Sequence, residues 1–301
     1  GFMQNNQPLV SVIMNCFNGE KYLREAIDSV IAQTYTNWEI IFWDNQSVDR
    51  SAEIFKSYND SHFRYFYAPK HTLLYEARNC AIEKSCGEYF AFLDVDDTWS
   101  ENKLEKQIPL FVDEKVGFVC SNYWIVDEVR ITRKLFRKRL IPSGWVLREL
   151  LSDYPVGLLT LVVRRTAFDE LGSGCDSRFH IIGDMDLVVR LAKNWKMGSC
   201  QASLAHYRIH GENEGKKQKV RNVAEYQIWV DELRKSSDIY RMPEFKKVVE
   251  ELLYMQGLLN IDQNNKAKAW RQLRQLSWGN YKLKLLVSLV MPQLFLRLLR
   301  H

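Results

Sequence analysis

Three acidic residues crowd into four positions at the end of an apolar run. The run is Tyr89 to Leu93, and Asp94, Asp96 and Asp97 follow it. Carboxylates at this spacing repel one another unless positive charge lies between them. A magnesium or manganese ion would supply that charge and leave coordination positions for the phosphates of a nucleotide diphosphate. A solvated turn that caps a helix near Ser100 is the alternative, and the residues alone leave both open.

Apolar runs alternate with helical patterns over the first third of the chain. The predicted strands are Val10 to Met14, Trp38 to Trp43, Phe63 to Ala68 and Tyr89 to Leu93. The predicted helices between them are Lys21 to Gln33, Asp49 to Tyr58 and Leu74 to Ser85. Strands that are apolar throughout are usually covered on both faces, so the pattern predicts an α/β fold with a doubly wound, mostly parallel sheet flanked by helices.

Ligands of such sheets bind beyond the carboxyl ends of the strands. That rule points to residues 16–18, to Asp44 and to Asp94 to Asp97. These segments would form one side of a ligand-binding cleft. A later strand, Leu158 to Val163, and a helix, Met185 to Trp195, are expected to form the other side, where the acceptor of a transferred group would bind.

Strand patterns stop beyond about Glu212, and the rest of the chain reads as a C-terminal helical appendage. Gly1 and Phe2 precede Met3, and we interpret them as residues left by cloning. The predicted division is a cloning remnant with a disordered start (1–7), an α/β domain (8–215), a helical appendage (216–280) and an amphipathic tail (281–301).

Charge and cysteine content narrow the class of protein. Lys and Arg number 42 against 37 Asp and Glu, and this net charge of +5 favours anionic partners without choosing among them. The six cysteines show no zinc spacing, so we expect reduced thiols, no disulfides and no structural zinc. Arg130 to Arg139 is basic but lacks the interleaved aromatic residues of a nucleic-acid-binding surface, so no nucleic-acid partner is expected.

Five segments carry a family resemblance. They are Pro8 to Leu23, Asp44 to Asp49, Ala77 to Asn79, Gly87 to Asp97 and Phe179 to Leu187. In this order they resemble the motifs of family-two inverting glycosyltransferases with the GT-A fold, over residues 8 to about 211. The resemblance implies an inverting enzyme that moves a hexosyl or N-acetylhexosaminyl group from a nucleotide sugar to an acceptor hydroxyl, and it makes residues 8–215 the GT-A catalytic domain.

The resemblance also assigns roles to single residues. Those assigned to the nucleotide sugar are Cys16, Phe17, Asn18, Asp44 as the partner of the base, Arg78, Asp96 and Arg208. Those assigned to a manganese or magnesium ion are Asp97, the main ligand, and Asp96. The chain departs from the family at Asn45, where an aspartate is frequent, and at Cys16, where a threonine is frequent. These departures bear on base preference, for which uracil, in a UDP-sugar, is expected.

An inverting transfer needs a base to accept the proton of the attacking hydroxyl. The resemblance gives that role to Asp184, with Asp186 as the lesser candidate. A helix-capping role for Asp184 is compatible with it, and a helix N-terminus would lower the pKa of Asp184 and make it a weak base. Tyr207 to His210 resembles a further family element, from which Arg208 or His210 could reach the diphosphate or the metal, although a structural role for His210 is the alternative.

The segment Leu283 to Leu299 is apolar with basic flanks. Ser288, Pro292 and Gln293 interrupt it, and its unbroken part is shorter than the roughly 20 residues that cross a bilayer. We therefore predict an interfacial helix on an anionic membrane, assisted by Arg130 to Arg139. Packing on its own domain and a homodimer contact through the C-terminal helices are the alternatives for this segment, and a solvated basic hairpin is the alternative for Arg130 to Arg139. The expected location is the cytoplasm, peripherally on the inner face of the plasma membrane.

Motifs and resemblance together predict transfer of a single sugar to a saccharide acceptor linked to polyprenyl diphosphate, in surface-glycan synthesis. A processive synthase is not expected, because the sequence lacks transmembrane spans and the glutamine-arginine-tryptophan signature of processivity. The alternative is a non-catalytic nucleotide-sugar-binding or scaffold protein of a polysaccharide assembly complex, against which the intact acidic residues argue.

Overall fold

The computed structural model describes residues 7–210 and 216–291. The chain divides into two compact units, the first comprising Gly1–Leu150 and Tyr154–Asn213 and the second Leu151–Asp153 and Glu214–His301. The proposed cloning remnant and the last ten residues of the predicted tail lie outside the described residues.

The first unit is built on a nine-stranded sheet. Its strands are β1 (Val10–Cys16), β2 (Trp38–Asp44), β3 (Phe63–Tyr67), β4 (Tyr89–Phe92), β5 (Thr98–Trp99), β6 (Val116–Asp127), β7 (Thr132–Leu135), β8 (Val162–Arg164) and β9 (Lys196–Ile209). Their spatial order is β3-β2-β1-β4-β8-β6-β9-β5, and β7 pairs with β6. Strands β1 to β4, β6 and β9 run in one direction, and β5, β7 and β8 run in the other. The predicted mostly parallel sheet is confirmed.

Helices cover the sheet. Those of residues 7–210 are α1 (Leu23–Ile31), α2 (Ser51–Lys56), α3 (Leu74–Lys84), α4 (Lys103–Gln107), α5 (Leu147–Ser152), α6 (Arg165–Glu170) and α7 (Gly183–Ala192), with 3-10 helices at Ile108–Val112 and Leu158–Thr160. Residues Leu23, Ala26, Ile27 and Val30 of α1 are spaced along one face and join the core that also contains the buried strands β1, β2 and β4. Burial of each leucine, isoleucine or valine side chain of this face contributes about 1.5–3 kcal/mol to the stability of the fold.

The predicted strand Leu158 to Val163 is shorter than expected. Leu158–Thr160 forms a 3-10 helix, and the strand β8 begins only at Val162. The Thr160 amide and hydroxyl both donate to the carbonyl oxygen of Gly157, at 2.9 and 2.8 Å, and these bonds close a turn that an extended chain could not make.

The second unit is helical over its described residues. Its helices are α8 (Lys216–Arg234), α9 (Ser237–Tyr240), α10 (Pro243–Asp262), α11 (Lys266–Gln275) and α12 (Asn280–Val290). α10 and α11 follow each other across a short turn at residues 263–265. A Cβ at Gly257 would lie 2.6 Å from Leu285 Cδ2, so glycine lets α10 approach α12 closely. Leu285 and Leu289 of α12 are buried in the core of this unit. Among the described residues, no helix combines the length and the hydropathy of a membrane span.

Candidate functional site

The carboxyl ends of three parallel strands meet at one edge of the sheet. Cys16, the last residue of β1, pairs in register with Asp44, the last residue of β2. On the other side of β1, Ile13 pairs with Phe92 at the end of β4. The segments that follow these strands therefore start from the same edge, where doubly wound sheets bind ligands.

Hydrogen bonds join the loops that follow β1 and β2. The Asn18 amide donates to Ser47 Oγ at 2.9 Å, and the Val48 amide donates to Asn18 Oδ1 at 2.9 Å. Asn18 has a φ of 51°, a conformation that asparagine adopts more readily than most residues. A Cβ at Gly19 would lie 2.4 Å from Val95 Cγ2, so only glycine fits where this loop meets residues 94–97, the acidic turn.

Phe17 presents an aromatic ring beside these loops. It is 53% exposed and packs edge-on against His71, with ring centroids 4.5 Å apart. His71 Nδ1 lies 2.9 Å from the carbonyl oxygen of Asn45. The Asn45 side chain donates to the Thr72 carbonyl at 2.9 Å and accepts from the Thr72 amide at 3.1 Å. Asn45 thereby fixes the segment that carries His71, and an aspartate could not make the donated bond.

Two predicted nucleotide-binding side chains point into the protein. Cys16 packs in the core, and burial raises the pKa of its thiol. The nucleotide contact assigned to Cys16 stays a prediction. Asp44 is fully buried, and its carboxylate oxygens accept hydrogen bonds from the Ser47 amide at 2.8 Å and the Tyr65 hydroxyl at 2.5 Å. The base contact assigned to Asp44 stays a prediction, and it would compete with these two bonds.

Arg78 is a buried cation that binds the first carboxylate of the acidic turn. Its side chain is 1% exposed, and its Nη1 and Nη2 atoms donate to Asp94 Oδ1 and Oδ2 at 3.2 and 3.4 Å. The rings of Tyr75 and Phe92 lie 5.0 and 5.6 Å from the guanidinium carbon. Arg78 therefore orients Asp94, and the donor contact that the resemblance assigned to Arg78 stays a prediction.

The other two carboxylates of the acidic turn differ in exposure: Asp97 is 4% exposed, and the side chain of Asp96 is 36% exposed. Burial, followed by repulsion from Asp96 and Asp94, raises the pKa of Asp97 well above its usual value. Burial and Asp94 also raise the pKa of Asp96. Asp97 Oδ1 accepts from the Arg208 amide at 3.2 Å, and Asp96 Oδ2 lies 3.1 Å from His210 Nε2.

The acidic turn fits a magnesium or manganese ion that completes its coordination with substrate oxygens. The raised pKa values of Asp96 and Asp97 show that added positive charge would stabilise the ionised pair. Within residues 7–210 and 216–291, no three acidic, histidine or cysteine side chains are gathered as a complete metal site. Two carboxylates are sufficient when the remaining ligands are phosphate oxygens and water. The helix-capping alternative is wrong, because α4 begins at Lys103 without a side-chain cap.

Arg208 closes the opposite side of the acidic turn. Its guanidinium pairs with Glu25 and Glu128, and its Nε donates to the carbonyl oxygen of Asp96 at 3.0 Å. The Tyr22 ring centroid lies 4.0 Å from the guanidinium carbon, and the Tyr22 hydroxyl donates to Glu128 at 2.7 Å. The structure thus brings Arg208 to the acidic turn as expected, but a diphosphate would compete with two carboxylates for it.

Asp184 lies in the first turn of α7. Its Oδ2 accepts a hydrogen bond from the Tyr154 hydroxyl at 3.2 Å. Burial raises the pKa of Asp184 to about 6, against the lowering effects of a backbone amide, the Tyr154 hydroxyl and the positive charge of Arg78. Amides at the start of α7 do lower the pKa of Asp184, as expected, but the loss of hydration outweighs them and the net shift is upward. The carboxylate is therefore a stronger base than the sequence indicated.

The Tyr75 ring lies between α7, which carries Asp184, and Arg78, which binds the acidic turn. A Cβ at Gly183 would lie 2.3 Å from the Tyr75 ring, so α7 packs directly on α3 beside Asp184. Arg78, which flanks the same ring, acts electrostatically on both Asp94 and Asp184. The candidate base and the carboxylates consequently share one electrostatic environment.

Asp186 and His210 have more limited roles. Asp186 is buried and pairs with Arg190 at 3.0 Å, and Arg190 also donates to the Gly174 carbonyl at 2.8 Å. Asp186 therefore holds α7 to the preceding loop. His210 contacts Asp96 through Nε2, and its buried Nδ1 has no hydrogen-bond partner among the described residues.

Sequence reasoning missed four side chains at this site: Glu25, His71, Glu128 and Tyr154. Glu128 lies 80 positions from its partner Arg208, and Tyr154 lies 30 positions from Asp184. None belongs to a recognised motif, and the sequence holds no signal that would pair them.

The family model for glycosyl transferase family 2 matches residues 11–166. Among curated relatives, the Escherichia coli protein WfgD, a UDP-Glc:alpha-D-GlcNAc-diphosphoundecaprenol beta-1,3-glucosyltransferase, is 34% identical over 158 residues. That match covers 52% of this chain and 61% of WfgD, less than two thirds of the relative's length.

Solved structures show the same fold. S. aureus TarS 1–349 in complex with UDP-GlcNAc superposes with a TM-score of 0.62 at 14% identity, covering 94% of this chain and 92% of TarS 1–349. The Pyrobaculum calidifontis mannosyltransferase PcManGT in complex with GDP-Man and Mn2+ has a TM-score of 0.63 at 15% identity, covering 96% of this chain and 82% of PcManGT. The predicted GT-A fold is thereby confirmed. Because the family model covers more than half of the chain, the protein belongs to glycosyl transferase family 2.

Proposed function

We propose that the protein transfers a single sugar from a nucleotide sugar, of the UDP class, to a hydroxyl of a lipid-linked saccharide in surface-glycan synthesis. The observation that carries the proposal is the pairing of two unlike acidic centres in one environment. The Asp96–Asp97 pair suits a cation and a departing diphosphate, whereas Asp184, with a pKa of about 6, suits proton removal near neutral pH.

Asp184 accepts the proton of the acceptor hydroxyl in this mechanism. The acceptor oxygen forms a bond to the anomeric carbon while the bond from that carbon to the diphosphate oxygen breaks, and attack from the opposite face inverts the anomeric configuration. The proton ends on Asp184 and the electron pair of the broken bond on the diphosphate. Tyr154 holds the Asp184 carboxylate by its hydrogen bond.

Asp96 and Asp97 would hold a magnesium or manganese ion, which supplies charge neutralisation for the leaving diphosphate. Arg78 contributes by orienting Asp94, and Arg208 presents a guanidinium to the same turn. The exposed ring of Phe17 beside His71 offers an aromatic surface for the nucleotide base.

The proposed donor and acceptor classes follow WfgD, whose name specifies UDP-glucose and a diphosphoundecaprenol-linked GlcNAc acceptor. A polyprenyl-diphosphate-linked saccharide is therefore the acceptor that we propose. The GDP-mannose bound to PcManGT makes GDP-sugars the competing donor class to be tested.

Nucleotide release from UDP-, GDP- and dTDP-sugars, measured with manganese, with magnesium and with EDTA, tests this proposal. We expect metal-dependent release of nucleotide from a UDP-sugar, and we expect Asp97→Asn to abolish this release. Asp113→Asn is the control and should keep it, since Asp113 is exposed and precedes the amino-terminal end of β6, whereas the acidic turn follows the carboxyl end of β4. Nucleotide binding without release in the presence of a lipid-linked acceptor would favour the scaffold alternative. Absence of both binding and release would contradict the proposal.

A further inference from the structure

A basic hairpin projects from the sheet edge close to Arg208. It consists of the end of β6, the turn Glu128 to Ile131, and β7, with Trp124 paired to Leu135 and Asp127 to Thr132. We call residues 124–140 the basic hairpin. Its side chains take no part in the proposed transfer, apart from Glu128.

The tip of the basic hairpin is apolar and exposed. Val129 is 71% exposed and Ile131 is 90% exposed. Ile131 also has a φ of 54°, a left-handed conformation that is unfavourable for a β-branched residue and that glycine or asparagine usually supplies in hairpin turns. Neither packing nor backbone preference explains an isoleucine here, which makes the tip a candidate for a contact outside the folded chain.

Positive charge surrounds this apolar tip. The basic residues of the hairpin are Arg130, Arg133, Lys134, Arg137, Lys138 and Arg139. Two acidic residues lie beside the tip. Asp127 accepts from the amides of Val129 and Arg130 at 3.0 Å each and lies 4.0 Å from the Arg130 guanidinium, and Glu128 pairs with Arg208. Six basic residues against these two acidic ones leave the hairpin with an excess of positive charge.

The aromatic residues of the hairpin are covered. Arg133 lies over the Trp124 ring with its guanidinium carbon 3.9 Å from the centroid, and Phe136 stacks on Tyr123 at 4.4 Å. A surface for single-stranded nucleic acid would expose such rings for base stacking. Exposed aliphatic side chains ringed by lysine and arginine instead match a lipid surface, with acyl chains at the tip and anionic headgroups around it.

We propose that the basic hairpin docks the protein on an anionic lipid bilayer, with Val129 and Ile131 entering the headgroup–acyl boundary. The contact lies close to the acidic turn, because Glu128 at the tip holds Arg208, whose amide donates to Asp97. This inference goes beyond the transfer reaction, since vesicle binding requires neither donor nor acceptor.

Sedimentation with vesicles of phosphatidylglycerol and phosphatidylcholine tests the charge contribution. The double variant Arg130→Gln/Lys134→Gln should bind about 30-fold more weakly than the parent protein, at about 1 kcal/mol per basic residue. The control Lys106→Gln/Lys115→Gln removes the same charge from exposed positions outside the hairpin, on α4 and directly before β6, and it should bind like the parent. Equal losses in the two variants, or no parent binding, would overturn the proposal.

Ile131→Asn gives an independent test through two readouts of opposite sign. Asparagine adopts the left-handed conformation more readily, so Tm should rise by about 2 °C or more. Vesicle binding should fall about tenfold, because the inserted aliphatic side chain is lost. A higher Tm with unchanged binding would show that the tip does not enter the bilayer and would overturn its proposed insertion.

Discussion

At the residue scale, the pKa of Asp184 determines when the proposed base is active. This pKa is about 6, so transfer requires the deprotonated form that dominates above that pH. We expect kcat/KM to fall tenfold per pH unit below about 6. A pH–rate profile between pH 5 and 8 measures this, and a flat acidic limb would exclude Asp184 as the base.

Tyr154 stabilises the ionised form of Asp184 by donating a hydrogen bond to it. Tyr154→Phe removes that bond and should raise the pKa of Asp184 by about one unit, moving the acidic limb to higher pH. The matched control is Tyr123→Phe, because the Tyr123 hydroxyl donates no hydrogen bond to Asp184. An identical shift in both variants would mean that general loosening of the site, and not this bond, is measured.

The partly buried charge of Asp184 also affects stability. Its folded-state pKa lies above the usual value, so the folded protein binds more protons than the unfolded chain between about pH 4 and 6. Stability contributed by this group therefore falls as the pH rises through that window. Asp184→Asn should abolish transfer and, at pH 8, raise the free energy of unfolding by about 1–3 kcal/mol, as measured by urea denaturation. Lower stability of the variant would contradict the direction of the pKa shift.

At the element scale, the loop after β2 fixes the position of His71, whose ring packs against Phe17 at the site. Asn45→Asp replaces the donor to the Thr72 carbonyl by a carboxylate, which repels that oxygen and loosens the segment carrying His71. We expect about a tenfold rise in donor KM with little change in kcat, measured by initial rates. Asn37→Asp breaks a bond of the same type, to the Gln7 carbonyl, and should leave donor KM unchanged. An unaltered donor KM in Asn45→Asp would separate this loop from nucleotide binding.

The strands that lead to the site were predictable, whereas the contacts across it were not. β1, β2 and β4 are buried along their whole length and most of their residues are apolar, and that pattern is visible in one dimension. β9 mixes polar and apolar residues with irregular pairing to β6, so no period marks it as a strand. The pKa of Asp184 depends on burial beside Tyr75 and Tyr154, which come from separate segments. Local reasoning about a helix end gave the lowering contribution of the amides and missed the larger contribution of burial.

At the scale of the whole molecule, ligand binding should stabilise the fold only when metal and nucleotide are present together. Asp96 and Asp97 provide two ligand groups, and the diphosphate would complete the coordination, so neither UDP nor manganese alone should bind tightly. At 100 times the dissociation constant, bound UDP with manganese adds about 2.7 kcal/mol, which raises Tm by several degrees. Differential scanning calorimetry of the protein alone, with each component and with both measures this synergy.

The same experiment separates the metal site from general anion binding. Asp97→Asn should lose the joint effect of UDP and manganese while keeping its own Tm close to the parent value or above it, because the substitution removes a carboxylate that is buried and repelled by its neighbours. Asp113→Asn, at an exposed position, should keep the joint effect. If UDP alone raised Tm as much as UDP with manganese, Arg208 and the loop amides would be holding the diphosphate without a cation. The acidic turn would then need another explanation for its crowded charge.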